Sequence, residues 1–336
     1  MGDLTWMALL AWLGAGAAGS AALIQLLMPV LRNYALARPN ARSSHTVPTP
    51  QGGGIAVIVV ALAAAVFGGA SVPTGFLAAV VGATLGLALI GAADDIRPLA
   101  VLPRFLAQIG LVAWVMATMP PDWRILAGMD GGWLILERAV LTVALVYFVN
   151  LTNFIDGLDW ITAADIVPSM LAVAVFAVLG WVPAFIGFVA VGLAAGMLGF
   201  APFNKPTARV FLGDVGSLPI GLLAGVVLIA LAGQGHLAAA VLLAAYPCLD
   251  ATVTLARRAA RGEKVWVAHR SHFYQQATDN GFSALEVSSL VFGLNIALAA
   301  LAGLTILIGH AWIDGGLALF GLGLAGLLCA RFARRR

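Results

Sequence analysis

The chain has 336 residues, of which 62% are hydrophobic and 10% charged, and its net charge is +3. A soluble domain carries roughly 25% charged residues, so this composition excludes an ordinary water-soluble surface and indicates lipid as the solvent. The small positive charge does not indicate a nucleic-acid partner, because membrane topology accounts for it. Cys248 and Cys329 lie in apolar stretches without a C-x-x-C pattern, which gives no support to a disulfide or a zinc site.

Eleven apolar stretches are long enough to cross a bilayer, which takes about 20 residues of α-helix. Their length and their lack of apolar–polar alternation favour helices over strands. The first is too long for the apolar region of a signal peptide and follows no Lys or Arg, so we expect it to be a true span. The predicted spans cover residues 6–31, 52–70, 75–93, 103–119, 133–149, 160–178, 181–199, 215–233, 236–256, 284–307 and 311–330. The sequence therefore predicts one all-α polytopic membrane domain over residues 1–336.

The distribution of positive charge predicts the orientation of this domain. Every Lys and Arg except Arg124 and Arg138 falls in a segment that follows an odd-numbered span. Because Lys and Arg concentrate in cytoplasmic loops, we expect the N-terminus to lie outside and the C-terminus in the cytoplasm.

An aspartate pair follows the third predicted span. Ionisable groups at membrane depth cost roughly 2.5–3.5 kcal/mol to insert, so they are candidates for function. Asp94 and Asp95 are adjacent carboxylates, which suit a divalent cation, and one of them is able to act as a base. The structural alternative is a solvated helix end.

A second polar group, with the sequence NLTNFIDGLD, follows the fifth span. Asn150 and Asn153 are three residues apart, as are Asp156 and Asp159, so each pair shares one face of a helix. Gly157 allows the backbone to approach a ligand closely. Two amides and two carboxylates at the end of a span favour a functional interpretation over a structural one.

Three further polar groups fall on the same predicted face. Asp214 lies in FLGDVGS before the eighth span, where a helix start attracts anions, although a simple N-cap is the alternative. His269, Arg270 and His272 lie in the longest cytoplasmic loop and offer donors to a diphosphate and a sugar. His45 precedes the rigid turn PTPQGGG that leads into the second span.

These five groups converge on one membrane face, each at the end of a different span. This arrangement suits a soluble anionic substrate that meets a lipid substrate at the interface. Carboxylates that bind Mg²⁺ beside Arg and His side chains provide the positioning and the charge neutralisation that phosphoryl transfer needs.

The same motifs resemble those of the polyprenyl-phosphate N-acetylhexosamine-1-phosphate transferases, the WecA- and MraY-like superfamily of glycosyltransferase family 4. That family has an aspartate pair, an N-x-x-N-F-x-D-G-x-D segment, an F-x-G-D-x-G-S segment and a C-terminal His motif. The similar segments here cover residues 94–95, 150–159, 211–217 and 269–275. The HRSHFYQ form of the last is most similar to the WbpL-like subgroup, which serves surface-glycan synthesis.

The resemblance implies a reaction in a bacterial cytoplasmic membrane. A UDP-HexNAc donor and undecaprenyl phosphate would give undecaprenyl-diphosphate-HexNAc and UMP, with Mg²⁺ or Mn²⁺ as the cofactor, at the start of O-antigen or other surface-glycan synthesis. It also implies a homodimer. Attack by the lipid phosphate is expected to be direct, with a covalent aspartyl intermediate left open.

The resemblance also assigns roles to residues. Asp94 would deprotonate or position the lipid phosphate, and Phe211 would stack on uracil. The metal ligands would be Asp214 and Asn153. The catalytic acids would be Asp94, Asp95, Asp156 and Asp159. The substrate-binding residues would be His45, Asn150, Asn153, Gly157, Phe211, His269, Arg270 and His272.

One departure from the family pattern stands out. The family reads D-G-x-D-G, whereas Trp160 occupies the last position here. We expect a large ring beside the nucleotide site, which would narrow sugar choice, restrict φ or impair activity.

The alternatives to a transferase are a transporter, a catalytically inactive scaffold and an alcohol phosphotransferase, although the D-G-x-x-A-R run of the last is missing. A transporter site lies near the bilayer midplane, whereas few acids fall inside predicted spans, Asp165 and Asp250 among them.

Overall fold

The computed structural model describes residues 4–37, 48–126, 132–265 and 269–336. Within these ranges the chain forms thirteen α-helices and one two-stranded antiparallel ribbon, in which β1 (Leu36–Ala37) pairs with β2 (Thr49–Pro50). The helices are α1 (Trp6–Tyr34), α2 (Gly54–Gly68), α3 (Thr74–Ile96), α4 (Val101–Thr118), α5 (Gly132–Ile155), α6 (Ile161–Val178), α7 (Ala184–Phe200), α8 (Asp214–Gly233), α9 (Leu237–Leu243), α10 (Ala245–Ala260), α11 (Phe273–Asp279), α12 (Ala284–Ile308) and α13 (Ala311–Phe332).

The described helices confirm the predicted all-α polytopic architecture. Ten of them are long and apolar enough to cross a membrane, and an eleventh crossing results if the bent pair α9 and α10 is counted as one span. The predicted break between the sixth and seventh spans is also present, because Gly180 adopts a positive φ of 75° between α6 and α7. The orientation of the termini stays a prediction.

The ninth predicted span, residues 236–256, is not one straight helix. α9 and α10 meet at an angle of 67°. Pro247 explains the break, because a proline ring conflicts with the carbonyl group four residues earlier and supplies no N–H to the helix. That carbonyl belongs to Leu243, and it accepts a hydrogen bond of 3.3 Å from the Ser169 hydroxyl instead.

α7 and α8 form the centre of the protein. Of the residues in an 18-residue apolar stretch of each helix, 94% are buried in α8 and 83% in α7 with the short turn after it, whereas 17% are buried in α13. α7 packs on α1, α2 and α6, and small residues allow its close approach to α2. At Gly196, for example, a Cβ atom would lie 2.9 Å from the Cα atom of Val57.

α8 also packs against α3 and α5, and this arrangement positions the polar groups. The aspartate pair lies at the C-terminal end of α3, and Asn150 and Asn153 lie in the last turns of α5. Asp214 is the first residue of α8. Two helices therefore end, and a third begins, at the same level of the bundle.

Candidate active site

Asp95 binds the start of α8. Its carboxylate accepts hydrogen bonds from the backbone N–H groups of Asp214, at 2.9 Å, and Val215, at 3.0 Å. A helix start favours a negative charge through its free N–H groups and its dipole. α3 can approach this closely because Gly91 has no side chain, and a Cβ atom there would collide with the Asp214 carbonyl. Asp95 therefore orients Asp214, and its carboxylate is engaged by the backbone.

Arg104 joins Asp94 to Asp214. Its guanidinium forms an ion pair with the Asp94 carboxylate and lies 3.4 Å from Asp214 Oδ2. Asp94 also accepts the backbone N–H of Leu99 at 2.7 Å. One cation thus stands between two carboxylates and reduces their mutual repulsion. Arg104 had not been singled out in the sequence, where it is one of several arginines near the ends of spans.

Asn153 contacts the same carboxylate from α5. Its amide nitrogen donates to Asp214 Oδ1 at 2.7 Å and to the Ser217 hydroxyl at 2.8 Å. The amide oxygen of Asn153 is then the atom left for a further ligand. Ser217 had not been singled out in the sequence, where it is simply the last residue of FLGDVGS.

A divalent metal fits this arrangement of oxygen donors. Within the described ranges no group of three or more His, Cys, Asp or Glu side chains has the arrangement of a metal site. Mg²⁺ requires less, because it commonly keeps several waters and binds one or two carboxylates together with substrate phosphates. Asp214 and the amide oxygen of Asn153 offer that kind of ligand set. Their role as ligands stays a prediction.

The segment after α5 carries the other two acids in different surroundings. Asp156 accepts a hydrogen bond from Thr162, and burial raises the pKa of its carboxyl to about 8, with nearby acidic side chains adding to the shift. Asp159 is 3% exposed, and its carboxylate accepts the backbone N–H of Ala208 at 3.0 Å. In this structure Asp159 holds the loop before α8 to the segment after α5.

Gly157 makes room for another protein segment. The Tyr274 hydroxyl donates to the Phe154 carbonyl at 2.9 Å, and a Cβ atom at Gly157 would collide with that hydroxyl. The absent side chain therefore lets α11 pack on the end of α5, whereas the sequence predicted close approach to a ligand. This packing brings the His motif to the acidic segment.

The His motif itself is partly closed. The His272 ring is 2% exposed and stacks on the His269 ring at a centroid distance of 4.8 Å. Burial lowers the pKa of His269 to about 4, and the neighbouring His272 and Arg258 side chains add to the shift. His269 is therefore neutral at neutral pH. Arg270 forms an ion pair of 3.1 Å with Asp279, the last residue of α11.

The turn before α2 holds the segment that leads into α8. The Phe211 carbonyl accepts the backbone N–H groups of Gly52, at 3.1 Å, and Gly53, at 2.9 Å. The Gln51 side chain donates to the Asp95 carbonyl at 2.7 Å. This turn therefore fixes Phe211 close to the aspartate pair. His45 lies outside the described residues.

Asn150 is turned away from this cluster. Its amide nitrogen donates to Gln108 of α4 and to the Val146 carbonyl, both at 2.8 Å. Asn150 and Asn153 were expected to share one face of a helix, but their side chains contact different helices: Asn150 contacts α4 and Asn153 contacts α8. In the structure Asn150 fastens α5 to α4.

Trp160 has the left-handed backbone conformation that glycine adopts easily, with φ 65° and ψ −6°. Its backbone N–H donates to Asn204 at 2.7 Å, and its indole N–H donates to the Ala201 carbonyl at 2.6 Å. The ring lines an apolar groove of about 280 Å³ between α6, α7 and α12, together with residues such as Val167 and Phe292. Trp160 thus keeps the positive φ that glycine would take, so the expected restriction of φ is not seen, and its ring lies in this groove.

Comparisons with known proteins point the same way as the motifs. The family model described as glycosyl transferase family 4 matches residues 77–232. A decaprenyl-phosphate N-acetylglucosaminephosphotransferase from Mycolicibacterium smegmatis is 32% identical over 304 residues, covering 78% of this chain and 73% of that protein. A phospho-N-acetylmuramoyl-pentapeptide-transferase from Synechococcus is 29% identical over 331 residues, covering 89% and 91%. A probable undecaprenyl-phosphate N-acetylglucosaminyl 1-phosphate transferase from Bacillus subtilis is 25% identical over 276 residues, covering 77% and 75%.

Proposed function

The chain belongs to glycosyl transferase family 4, and on that basis we propose that it transfers an N-acetylhexosamine 1-phosphate from a UDP-sugar to undecaprenyl phosphate. The observation that carries this proposal is the cluster around Asp214, which Asn153, Arg104 and Asp95 contact from three other helices. The relatives named above act on polyprenyl phosphates or transfer phospho-amino sugars, as their names say.

The reaction is a phosphoryl transfer between two substrates from different phases. An oxygen of the lipid phosphate attacks the sugar-bound phosphorus of the UDP-sugar, and the bond between that phosphorus and the bridging oxygen breaks, so UMP leaves. A phosphate monoester has a second pKa near 6, so the lipid phosphate is already largely deprotonated at neutral pH. A separate general base is therefore unnecessary, which favours direct displacement.

The chain's own residues supply position and charge. Arg104 stands at the edge of the cluster with Asp94 as its partner, and it would hold the lipid phosphate in line for attack. Asp214 and Asn153 would hold Mg²⁺, which when bound neutralises the charge of the diphosphate oxygens. Asp95 keeps Asp214 in place by binding the start of α8. His269 would donate an N–H to the sugar–diphosphate without adding charge.

The membrane and the pathway are part of the same proposal. The concentration of Lys and Arg after odd-numbered spans supports a cytoplasmic position for the cluster, where nucleotide sugars are found, and the proposed acceptor lipid is one of bacterial cytoplasmic membranes. The product would be the first lipid-linked intermediate of a surface glycan such as O-antigen. The similarity of the HRSHFYQ segment to the WbpL-like subgroup supports this pathway. A homodimer is expected by analogy with the family.

The first experiment measures UMP release by the purified protein. It is incubated in detergent with undecaprenyl phosphate, Mg²⁺ and one of several UDP-sugars: the donors of GlcNAc, GalNAc, QuiNAc and FucNAc, and UDP-MurNAc-pentapeptide. Asp214→Asn and an EDTA sample run beside the wild type. We expect lipid- and metal-dependent UMP from the wild type only, with the best donor naming the sugar. Folded wild-type protein that releases no UMP from any donor would refute the proposal.

A further inference from the structure

Asp250 is a fully buried carboxylate in α10 that the proposed reaction does not use. It is 0% exposed. Among the residues that the structure describes, none of the groups that donate to it belongs to Lys or Arg. The donors are Phe273 N at 3.0 Å, His272 Nδ1 at 3.1 Å, Tyr274 N at 3.1 Å, the Tyr246 hydroxyl at 3.4 Å and the Thr254 hydroxyl at 3.5 Å. An acid at this depth without a cationic side chain is costly, so its bonds deserve a functional explanation.

These bonds hold the His motif as a unit. Two come from the backbone N–H groups of Phe273 and Tyr274, the first two residues of α11, and a third comes from the ring of His272 just before them. Because Nδ1 of His272 faces Asp250, Nε2 faces the opposite way. A carboxylate bound to one ring nitrogen fixes both the tautomer and the orientation of a histidine.

This unit lies against the proposed active site. The His272 ring stacks on His269, and its centroid lies 6.2 Å from that of Phe154. The Tyr274 hydroxyl donates to the Phe154 carbonyl, one residue after Asn153. A displacement of the ring or of α11 would therefore move both His269 and the segment that carries Asn153.

We propose that Asp250 is a positioning residue of the transferase, which acts through His272 to orient the His269–His272 segment towards the sugar–diphosphate donor. The inference rests on the proposed function. Asp250 itself touches no substrate, because protein covers it completely. The competing explanation is that Asp250 serves folding alone. The two differ in kinetics, since a loss of folded protein lowers the active fraction without changing the KM for either substrate.

The test compares Asp250→Asn with the wild type in the UMP assay. Asparagine has the same size but loses the charge and one acceptor. We expect the KM for the UDP-sugar to rise and kcat/KM to fall by about 10- to 100-fold, as for other carboxylates that orient a histidine. The KM for undecaprenyl phosphate should stay within about twofold, because the Asp94–Arg104 pair is untouched. An unchanged donor KM would overturn the proposal.

A double-mutant cycle tests whether Asp250 acts through His272. His272→Gln and the double variant are measured beside Asp250→Asn. We expect the double variant to be no worse than His272→Gln, because both changes disturb one unit. Losses that simply multiply would contradict the proposal.

The control is Asp165→Asn, the same substitution at a second buried acid. Asp165 is 6% exposed and accepts a hydrogen bond of 3.2 Å from Asn295, which lies on α12. It should leave both KM values unchanged. If Asp250→Asn cannot be purified in folded form, Asp250→Glu replaces it, and a normal donor KM there would overturn the proposal. A wild type that releases no UMP refutes the proposed function instead.

Discussion

The carboxylate of Asp95, near the end of α3, accepts the backbone N–H of Asp214, the first residue of α8, at 2.9 Å. The position of Asp214, the central acid of the site, therefore depends on the side chain of Asp95. Asp95→Ala should lower both activity and stability, the latter by about 1–2 kcal/mol, as for the loss of other helix caps. Asp95→Asn, which keeps one acceptor, should be intermediate. UMP release and thermal unfolding measure the two effects, and equal behaviour of the two variants would contradict this role.

Arg104 should be needed for turnover as well as for local stability. Arg104→Ala removes the cation between Asp94 and Asp214, so we expect kcat/KM to fall about 100-fold or more, the size found when a charge-stabilising donor is lost. Arg104→Lys should recover only part, because an ammonium group lacks the planar fork of arginine. The matched control is Arg97→Ala, at the end of α3 just before the turn into α4, which is exposed and should stay within about twofold. Similar losses in Arg97→Ala and Arg104→Ala would refute a specific role.

At position 160, the alanine and glycine variants should differ in stability in the opposite order from that in a helix. Trp160→Ala keeps a Cβ at positive φ and loses the indole bond to Ala201, whereas Trp160→Gly loses the bond but relieves the backbone. We expect the glycine variant to be more stable than the alanine variant by about 1 kcal/mol, the reverse of their order in a helix. Thermal unfolding of the two proteins gives the answer. An alanine variant as stable as the glycine one would show that this residue bears no strain.

Gly157 and Tyr274 should show a compensating pair of effects. Gly157→Ala places a methyl group where the Tyr274 hydroxyl lies, so we expect α11 to shift and kcat/KM to fall about 10- to 100-fold. Tyr274→Phe removes that hydroxyl. The double variant should therefore be more active than Gly157→Ala alone, as measured by UMP release. A double variant that is less active than either single one would show that the collision is not the cause.

His269 should make the protein sensitive to acid. Its pKa is about 4 in the folded protein, against about 6.5 in an unfolded chain. As the pH falls, the unfolded chain takes up this proton first, so the contribution of His269 lowers stability from about pH 6.5 down to pH 4. His269→Gln should lose less stability than the wild type between pH 7 and pH 5. Parallel pH profiles of the unfolding temperature would contradict this assignment.

Much of the fold could be predicted because lipid leaves few choices. Long apolar stretches in lipid must be helices, and most Lys and Arg residues lie between these stretches. The approximate number of spans could therefore be predicted from the distribution of apolar and charged residues. The convergence of Asp94, Asn153 and Asp214 followed from their place at the ends of spans. Pro247 did carry a signal for the break in the ninth span, since a proline inside a helical stretch interrupts it.

The partners of the site residues could not be predicted in the same way. Arg104 lies 110 residues before Asp214, and nothing in the surrounding sequence distinguishes it from the other arginines near the ends of spans. The backbone bonds of Asp95 depend on how closely α3 approaches α8. Gly157 was singled out for closeness to a ligand, but the atom that requires its small size in the structure is the Tyr274 hydroxyl, more than a hundred residues away. Such contacts are set by packing between helices, which a local pattern does not record.

Because protein surrounds α8 on nearly all sides, its sequence should diverge under a different rule from that of α13. An apolar residue that faces lipid can be exchanged for any other apolar residue, since lipid tails rearrange around it. A residue of α8 fills a space of fixed shape, and a change in its volume costs stability whichever side it faces. Substitutions in α8 should therefore be volume-conserving or coupled to changes in α3, α5 or α7. Over evolutionary time the sequence of α8 should change slowly and together with that of its neighbours, whereas the sequence of α13 should change quickly and independently.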